Sequence, residues 1–364
     1  MIKGRRNFLR AFDKTLFTCV LAILGIGLLT LYSASSRYYS HNIVFRQGVW
    51  MMLGLILIAV VLNFDYQKIM HLSYLLYGIN IMFLIFVLFF GNARGGAQRW
   101  ISLGAFNLQP SELAKITTVL ALSSFIGSRK DSVNKLSCVL SAFAIVLPAF
   151  ILILIEPDLG TALLLVPVTM MMLFIAGAKI SHLLGIIFAG FSAMPFFWHF
   201  LRDYQKQRLF VFINPNLDPL GSGYTIIQSK IAIGSGGLLG KGWLSGTQNQ
   251  LNFLPERHTD FIFSVVGEEW GFLGAMVLIL FYSLIVYRGA KLAENTPDTY
   301  GKLVATGFIT LFSLQVIINI GMTIGFLPVV GLTLPLISYG GSSLMTTLFY
   351  IGFLLNIGMR RPLF

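Results

Sequence analysis

Leu254-Pro255-Glu256-Arg257-His258-Thr259-Asp260-Phe261-Ile262-Phe263-Ser264-Val265-Val266-Gly267-Glu268-Glu269-Trp270-Gly271 runs directly into the apolar stretch Phe272 to Tyr287. The apolar part is long enough to cross a bilayer, so a membrane helix is expected over about 261–287. Glu256, Arg257, His258 and Asp260 crowd together at its mouth. Ionisable groups in such a place are costly unless they pair, reach water or do chemistry. That marks Asp260 as a candidate reacting carboxylate, with Glu256, Arg257 and His258 as supporting groups. An acid before a helix can instead cap it, and Thr259 can do the same, so both readings stand for Asp260 at this point.

The remaining chain has the same character. Its 364 residues are 56% hydrophobic and 11% charged, with a mean hydropathy of +0.80. Soluble domains are about 25% charged, so a soluble enzyme is excluded. Spans are expected at about 15–32, 47–63, 72–90, 111–127, 136–155, 159–176, 182–200, 261–287, 303–321 and 344–359. The fold class is therefore an all-α polytopic membrane protein of about ten transmembrane helices in a single membrane domain. One long extracytoplasmic loop, 202–260, joins the seventh and eighth helices; its Gly- and Ser-dense middle, Gly221 to Gly246, reads as loop with short amphipathic pieces.

Lys3, Arg5, Arg6, Arg10 and Lys14 precede the first span, and Arg360 and Arg361 follow the last. Short outer loops carry only Arg37, Arg46, Arg94 and Arg99. Both termini are thus expected in the cytoplasm. The first span lacks a small-residue cleavage site, which argues against a removed signal peptide. The net charge of +12 sits largely in short loops between spans, which suits membrane topology and anionic lipid and not nucleic acid. Cys19 and Cys138 have no disulfide or metal-ligand spacing. No internal repeat of the transporter kind is visible.

Four further stretches carry polar chemistry. In Gln109-Pro110-Ser111-Glu112-Leu113-Ala114-Lys115 the proline opens a helix and places Glu112 and Lys115 on one face, either as a structural ion pair or as the wall of a cavity shared with Asp260. Glu156-Pro157-Asp158 reads as a tight turn in which Asp158 caps the next helix; the alternative is a cation held by the two carboxylates. The basic set Arg202, Lys206, Arg208, Lys230 and Lys241 offers cations to phosphate or pyrophosphate, or is simply a solvated face. Leu334 to Ser343, with Ser338, Tyr339 and paired glycines, reads as broken backbone lining a cavity or as helix-end punctuation.

Taken together, these stretches resemble the SEDS family (shape, elongation, division and sporulation), in its elongation branch. The resemblance covers nearly the whole chain. It is carried by Gly96-Ala97-Gln98-Arg99-Trp100-Ile101 with Gln109 to Glu112, by Glu156 to Thr161, by Asn214 to Gly242 including Asp218-Pro219-Leu220-Gly221 and Gln228-Ser229-Lys230, by Pro255 to Phe261, and by Pro335 to Ser342. It implies a peptidoglycan glycosyltransferase of the bacterial cytoplasmic (inner) membrane that polymerises lipid II, a polyprenyl-linked disaccharide-peptide. The essential aspartate of the family falls on Asp260, and its acid and base pair falls on Glu112 and Lys115. A divalent cation, Mg or Mn, is also implied, with Asp260 among its ligands. So are a class B penicillin-binding protein as transpeptidase partner and further membrane proteins of the elongation complex. In that chemistry Asp260 is the general base on the acceptor 4-hydroxyl, and Arg202, Lys206, Arg208 and Lys230 receive pyrophosphate. A lipid II flippase and a non-catalytic scaffold remain the alternatives.

Overall fold

At membrane depth only a helix satisfies every backbone N–H and C=O within one segment, so apolar stretches of spanning length have little choice of structure. The computed structural model describes residues 12–35, 40–94, 97–103, 106–199, 203–219 and 221–360. Lys3, Arg5, Arg6, Arg10, Arg37, Gly96, Arg202, Leu220 and Arg361 lie outside the described residues.

The helices are α1 (Lys14–Ser35), α2 (Ser40–Asn63), α3 (Tyr66–His71), α4 (Ser73–Phe90), α5 (Pro110–Gly127), α6 (Leu136–Ile155) and α7 (Leu159–Ile175), followed by α8 (Ile180–Trp198), α9 (Asp203–Ile213), α10 (Ser222–Ser235), α11 (Thr247–Gln250), α12 (Ile262–Glu294), α13 (Thr299–Ile324) and α14 (Gly341–Met359). Each expected span is matched by a helix, within a few residues at most ends. Among the described residues, α1, α2, α4, α6, α12, α13 and α14 are long and apolar enough to cross a bilayer, while α7 and α8 are shorter apolar helices. The chain is an all-α polytopic membrane protein.

Burial separates core from rim. Most of α5, α13 and α14 is inside the protein, whereas α2, α4 and α8 expose many large apolar side chains, as lipid-facing helices do. Phe308 of α13 stacks on Tyr350 of α14 at 4.8 Å and meets Phe353 edge-on at 5.6 Å. Around this centre α12 packs on α1 and α13, and α2 packs on α14.

The structure departs from the expectations in two places. The outer segment 91–110 is not loop throughout: β1 (Asn92–Arg94), β2 (Ala97–Leu103) and β3 (Phe106–Leu108) form a small antiparallel sheet, with Asn92 opposite Trp100 and Ile101 opposite Leu108. Consecutive strands need only short turns to pair, so local sequence suffices. The segment 202–260 is not a single loop either. It holds α9, α10 and α11, and α10 packs against α12 and α13. Tertiary burial there overrides the low helix propensity of its glycines. Glycine does matter at Gly271, where α12 breaks with φ 66 and ψ −163, backbone that other residues rarely adopt.

Candidate active site

The turn before α12 settles the first question about Asp260. The residue at the helix entrance is Phe261 and no side chain caps it, so Asp260 is not a cap. Thr259 is not one either, since its hydroxyl donates to Glu256 Oε2 at 3.0 Å. Asp260 is half-buried, and among the described residues its carboxylate accepts no hydrogen bond.

Its backbone, by contrast, is held from several sides. Asn319 Nδ2, near the end of α13, donates to Asp260 O at 2.9 Å and to Leu332 O at 2.6 Å. Ser338 Oγ donates to Thr259 O at 2.6 Å while accepting from Leu334 N at 2.8 Å, and Tyr339 N donates to His258 O at 2.9 Å. Ser338 and Tyr339, in the stretch before α14, thus clamp the turn. Glu256 (φ 49) and Leu336 (φ 69) sit in the left-handed region, backbone strain of the kind that gathers at functional sites. Gly331 faces the carboxylate closely; a Cβ there would lie 3.5 Å from Asp260 Oδ2.

The electrostatics follow from the same packing. Burial pushes the Asp260 carboxyl up to about 6, Glu256 adds to the rise, and Arg208 and Arg99 oppose it. Desolvation therefore outweighs the neighbouring cations, which makes the carboxylate a stronger base than a free aspartate. His258 is held below its usual range, mainly by burial. Arg257 Nε donates to Ala34 O at 2.7 Å, tying the turn to the end of α1. Glu256, Arg257 and His258, with Ala34, Ser35 and Ile43, line a cavity of about 250 Å³.

A second acidic turn adjoins the first. Asp158 accepts from Thr161 N at 3.3 Å, as the expected cap of α7, and also from Ser111 Oγ at 3.1 Å and Gln109 Nε2 at 3.3 Å. Arg99 reaches over from β2, its guanidinium donating to the backbone oxygens of Glu156 (3.0 Å) and Pro157. The Glu156 carboxyl is 1% exposed with no hydrogen-bond partner, and burial raises it to about 8 with Asp158 adding to the rise. That shift favours its neutral form at pH 7.

Glu112 and Lys115 do pair, Nζ to Oε1 at 2.8 Å, with the lysine fully buried. Glu112 lines a cleft of about 690 Å³ with Trp50, Asn107, Gln109, Ser342 and Phe349, largely apolar. Neither Asp260 nor Lys115 lines that cleft. The expectation of one cavity shared by Glu112, Lys115 and Asp260 is met only by Glu112 in the wall of this cleft.

The basic set divides. Arg208 of α9 acts on Asp260 and donates to Val329 O at 3.3 Å, whereas Lys206 is half-buried two positions away. Lys230 is exposed and lies over Gly325 at the C-terminal end of α13, where a cation meets the helix dipole. Lys241 pairs with buried Glu268 at 2.9 Å. Arg99, quoted in the sequence but given no role there, is the second cation acting on Asp260. Asn319 was also missed, although a carboxamide inside an apolar run is a signal worth reading.

Among the described residues no three of His, Cys, Asp and Glu gather as metal ligands. The donor set around Asp260 is one carboxylate with arginines beside it. It does not form a cage for a divalent cation without oxygen ligands from a substrate.

The FtsW/RodA/SpoVE family of cell cycle proteins matches residues 13–362. Peptidoglycan glycosyltransferase MrdB of Escherichia coli K12 is 40% identical over 353 residues, 96% of this chain and 94% of that one. Stage V sporulation protein E of Bacillus subtilis is 39% identical over 95% of this chain and 96% of its own length. A solved chain from a peptidoglycan synthase complex that coordinates polymerization and crosslinking superposes with a TM-score of 0.82 at 36% identity, covering 95% of this chain and 97% of that one. Rod shape determining protein RodA of Thermus thermophilus gives 0.69 at 30% identity, covering 95% and 96%. With the family model matching residues 13–362 and relatives covered along nearly their whole length, the chain belongs to the FtsW/RodA/SpoVE, or SEDS, family.

Proposed function

We propose that Asp260 is the general base of the peptidoglycan glycosyltransferase reaction that this chain carries out in the bacterial cytoplasmic membrane. The observation that carries the assignment is a partly exposed aspartate whose carboxylate has no hydrogen-bond partner among the described residues, on a turn whose backbone is fixed by Asn319, Ser338 and Tyr339. Such a group is spare for substrate and held in place for it.

The reaction joins two lipid II units. The acceptor 4-hydroxyl oxygen bonds to the anomeric carbon of the donor as the bond from that carbon to phosphate breaks. The electron pair leaves with the polyprenyl pyrophosphate, and the hydroxyl proton passes to Asp260. Base assistance of this kind is worth about 10²- to 10⁴-fold in rate. Arg208 and Arg99 supply positive charge toward the departing phosphates. The apolar cleft between α2, α4, α5 and α14 suits a polyprenyl tail, with Glu112 and Lys115 ordering its polar end. A divalent cation enters this scheme only as one brought by substrate phosphates and completed by Asp260, and no step depends on it.

The topology that goes with this reading has α5, α7 and α8 as the three remaining spans, both termini in the cytoplasm and residues 202–260 on the outer side of a single membrane domain. The partner is a class B penicillin-binding protein within the elongation complex, a reading supported by likeness to a chain from a complex coordinating polymerization and crosslinking.

Purified protein supplied with lipid II tests the assignment. Glycan strands are expected from wild type and none from Asp260→Ala or Asp260→Asn; polymer from both variants would remove Asp260 as base. Headgroup translocation without polymer would favour a flippase, and partner binding with neither activity a scaffold.

A further inference from the structure

We propose that residues 222–246 form a re-entrant hairpin whose turn, Gly236 to Trp243, is seated among the acyl chains of the outer leaflet. The leaflet follows from the topology proposed above; the depth rests on contacts alone.

Depth can be followed along the neighbouring spans. Ser229 Oγ contacts Ser264 Oγ at 2.6 Å and donates to Thr323 O at 2.6 Å, so this part of α10 stands level with the start of α12 and the end of α13. The chain then travels along α12 in its own direction. Phe272 N donates to Gly237 O at 2.9 Å and Leu273 N to Leu238 O at 3.1 Å. On the way back Lys241 N donates to Glu268 O and Gly242 N to Glu269 O, both at 3.0 Å. Further back, Asn249 Nδ2 donates to Ser33 O at 3.2 Å, close to the end of α1.

Leu273 lies roughly 16 Å along the helix from Ile262, at about 1.5 Å per residue. Trp243 Nε1 donates to Leu29 O at 3.2 Å, a point roughly 9 Å before the end of α1 by the same rise. A tip between these limits is well inside a hydrocarbon core of about 30 Å.

Non-helical backbone survives at such depth only when its polar groups are satisfied by protein. Here the break of α12 at Gly271 frees backbone groups and the hairpin pairs with them, so each irregularity completes the other. The approach is close enough to demand glycine: at Gly240 (φ +80) a side chain would run into Glu269 O. Charge is handled in the same inward direction. Glu268, fully buried, takes Lys241 Nζ at 2.9 Å, Thr247 Oγ at 3.1 Å, and the backbone N–H groups of Gln248 at 2.9 Å and Asn249 at 3.3 Å.

What faces outward is apolar. Leu238 and Leu239 are 70% and 78% exposed, and they continue the exposed apolar side of α12 at Phe272 and Leu273. Their surroundings are therefore those of α12 itself, which are lipid tails.

The test uses the full-length protein in proteoliposomes, with a nitroxide placed by Leu239→Cys and, separately, by Leu238→Cys; the native Cys19 and Cys138 are buried. Collisional relaxation by oxygen is expected to exceed that by a water-soluble nickel complex several-fold, as at a Phe272→Cys control, and the order should reverse at exposed Asn216→Cys. Nickel access at 239 equal to that at 216 would overturn the hairpin. Protection from both reagents would mean a protein surface covers the turn, which overturns the lipid assignment. An impermeant thiol reagent applied to intact cells separates the two layers of the argument. Labelling at Asn216→Cys is expected, and its absence with the oxygen result intact would reverse the topology while leaving the insertion standing.

Discussion

Asp260 and Glu268 come from the same quoted stretch, and the structure treats them in opposite ways. Glu268 is sealed from solvent and receives four hydrogen bonds, one of them from the Lys241 ammonium. Asp260 is partly exposed and, among the described residues, receives none through its carboxylate, although the backbone of its turn, residues 258–260, is tied at every residue. A carboxylate whose lone pairs are all taken is a fastening. One whose position is fixed while its oxygens stay free is available to a ligand.

The largest expected effect breaks the comparison most directly. Asp260→Ala should cost about 10²- to 10⁴-fold in polymerisation rate, read as glycan product from lipid II, with the protein still folded. Glu268→Ala should do the reverse. Unpairing Lys241 and two backbone N–H groups inside the fold is expected to destabilise by about 3–5 kcal/mol, visible as lost monodispersity and a lower melting temperature. A normal melting temperature for Glu268→Ala would erase the distinction.

Lys115→Met extends the contrast to a third acid. It strands Glu112 without its cation in a buried site, again at about 3–5 kcal/mol, and the double variant Glu112→Gln/Lys115→Met should recover much of the loss. Thermal unfolding of the pair decides whether this is an ion pair of that kind.

Asp260→Asn should raise stability while abolishing activity. The folded carboxyl is lifted to about 6 from an ordinary value near 3.9, so the folded state binds the extra proton between those limits. Stability then falls as pH rises from about 4 to 6 and stays lower above, which the asparagine variant avoids; a gain on the order of 3 kcal/mol at pH 7 is expected. The same shift sets the acid limb of the wild-type rate, which should climb with pH and level off above about 6. A limb near 4 would show that burial does not govern this group. The smallest effect is for Ser338→Ala, about 2 kcal/mol for the two hydrogen bonds lost, to Thr259 O and from Leu334 N, with a fall in kcat at unchanged pH profile.

Much of this molecule is legible residue by residue. The expected span 136–155 coincides with α6, and the Glu156-Pro157-Asp158 turn with its cap is as read, because proline and a short acid act within a few residues of themselves. The Glu112–Lys115 pair follows from helical spacing alone. Arg99 and Asn319 were missed because their roles exist only between elements: one reaches from β2 to the α6–α7 turn, the other from α13 to the turn before α12. The Gly-rich middle of 202–260, expected as loop with short amphipathic pieces, holds the longer helix α10 for the same reason. Its propensity favours loop, and only contact with α12 and α13 makes a helix of it.

By itself, then, the sequence determined that this chain lies in a membrane, where its helices run and which acid deserved suspicion, since hydropathy and local spacing act over a few turns of chain. Tertiary structure decided that Glu268 is fastened on every side, that Glu156 is buried without a partner while Asp260 stays partly exposed, and that Asp260 is no helix cap. Those outcomes depend on donors far away in the chain, and only packing brings them within hydrogen-bonding reach.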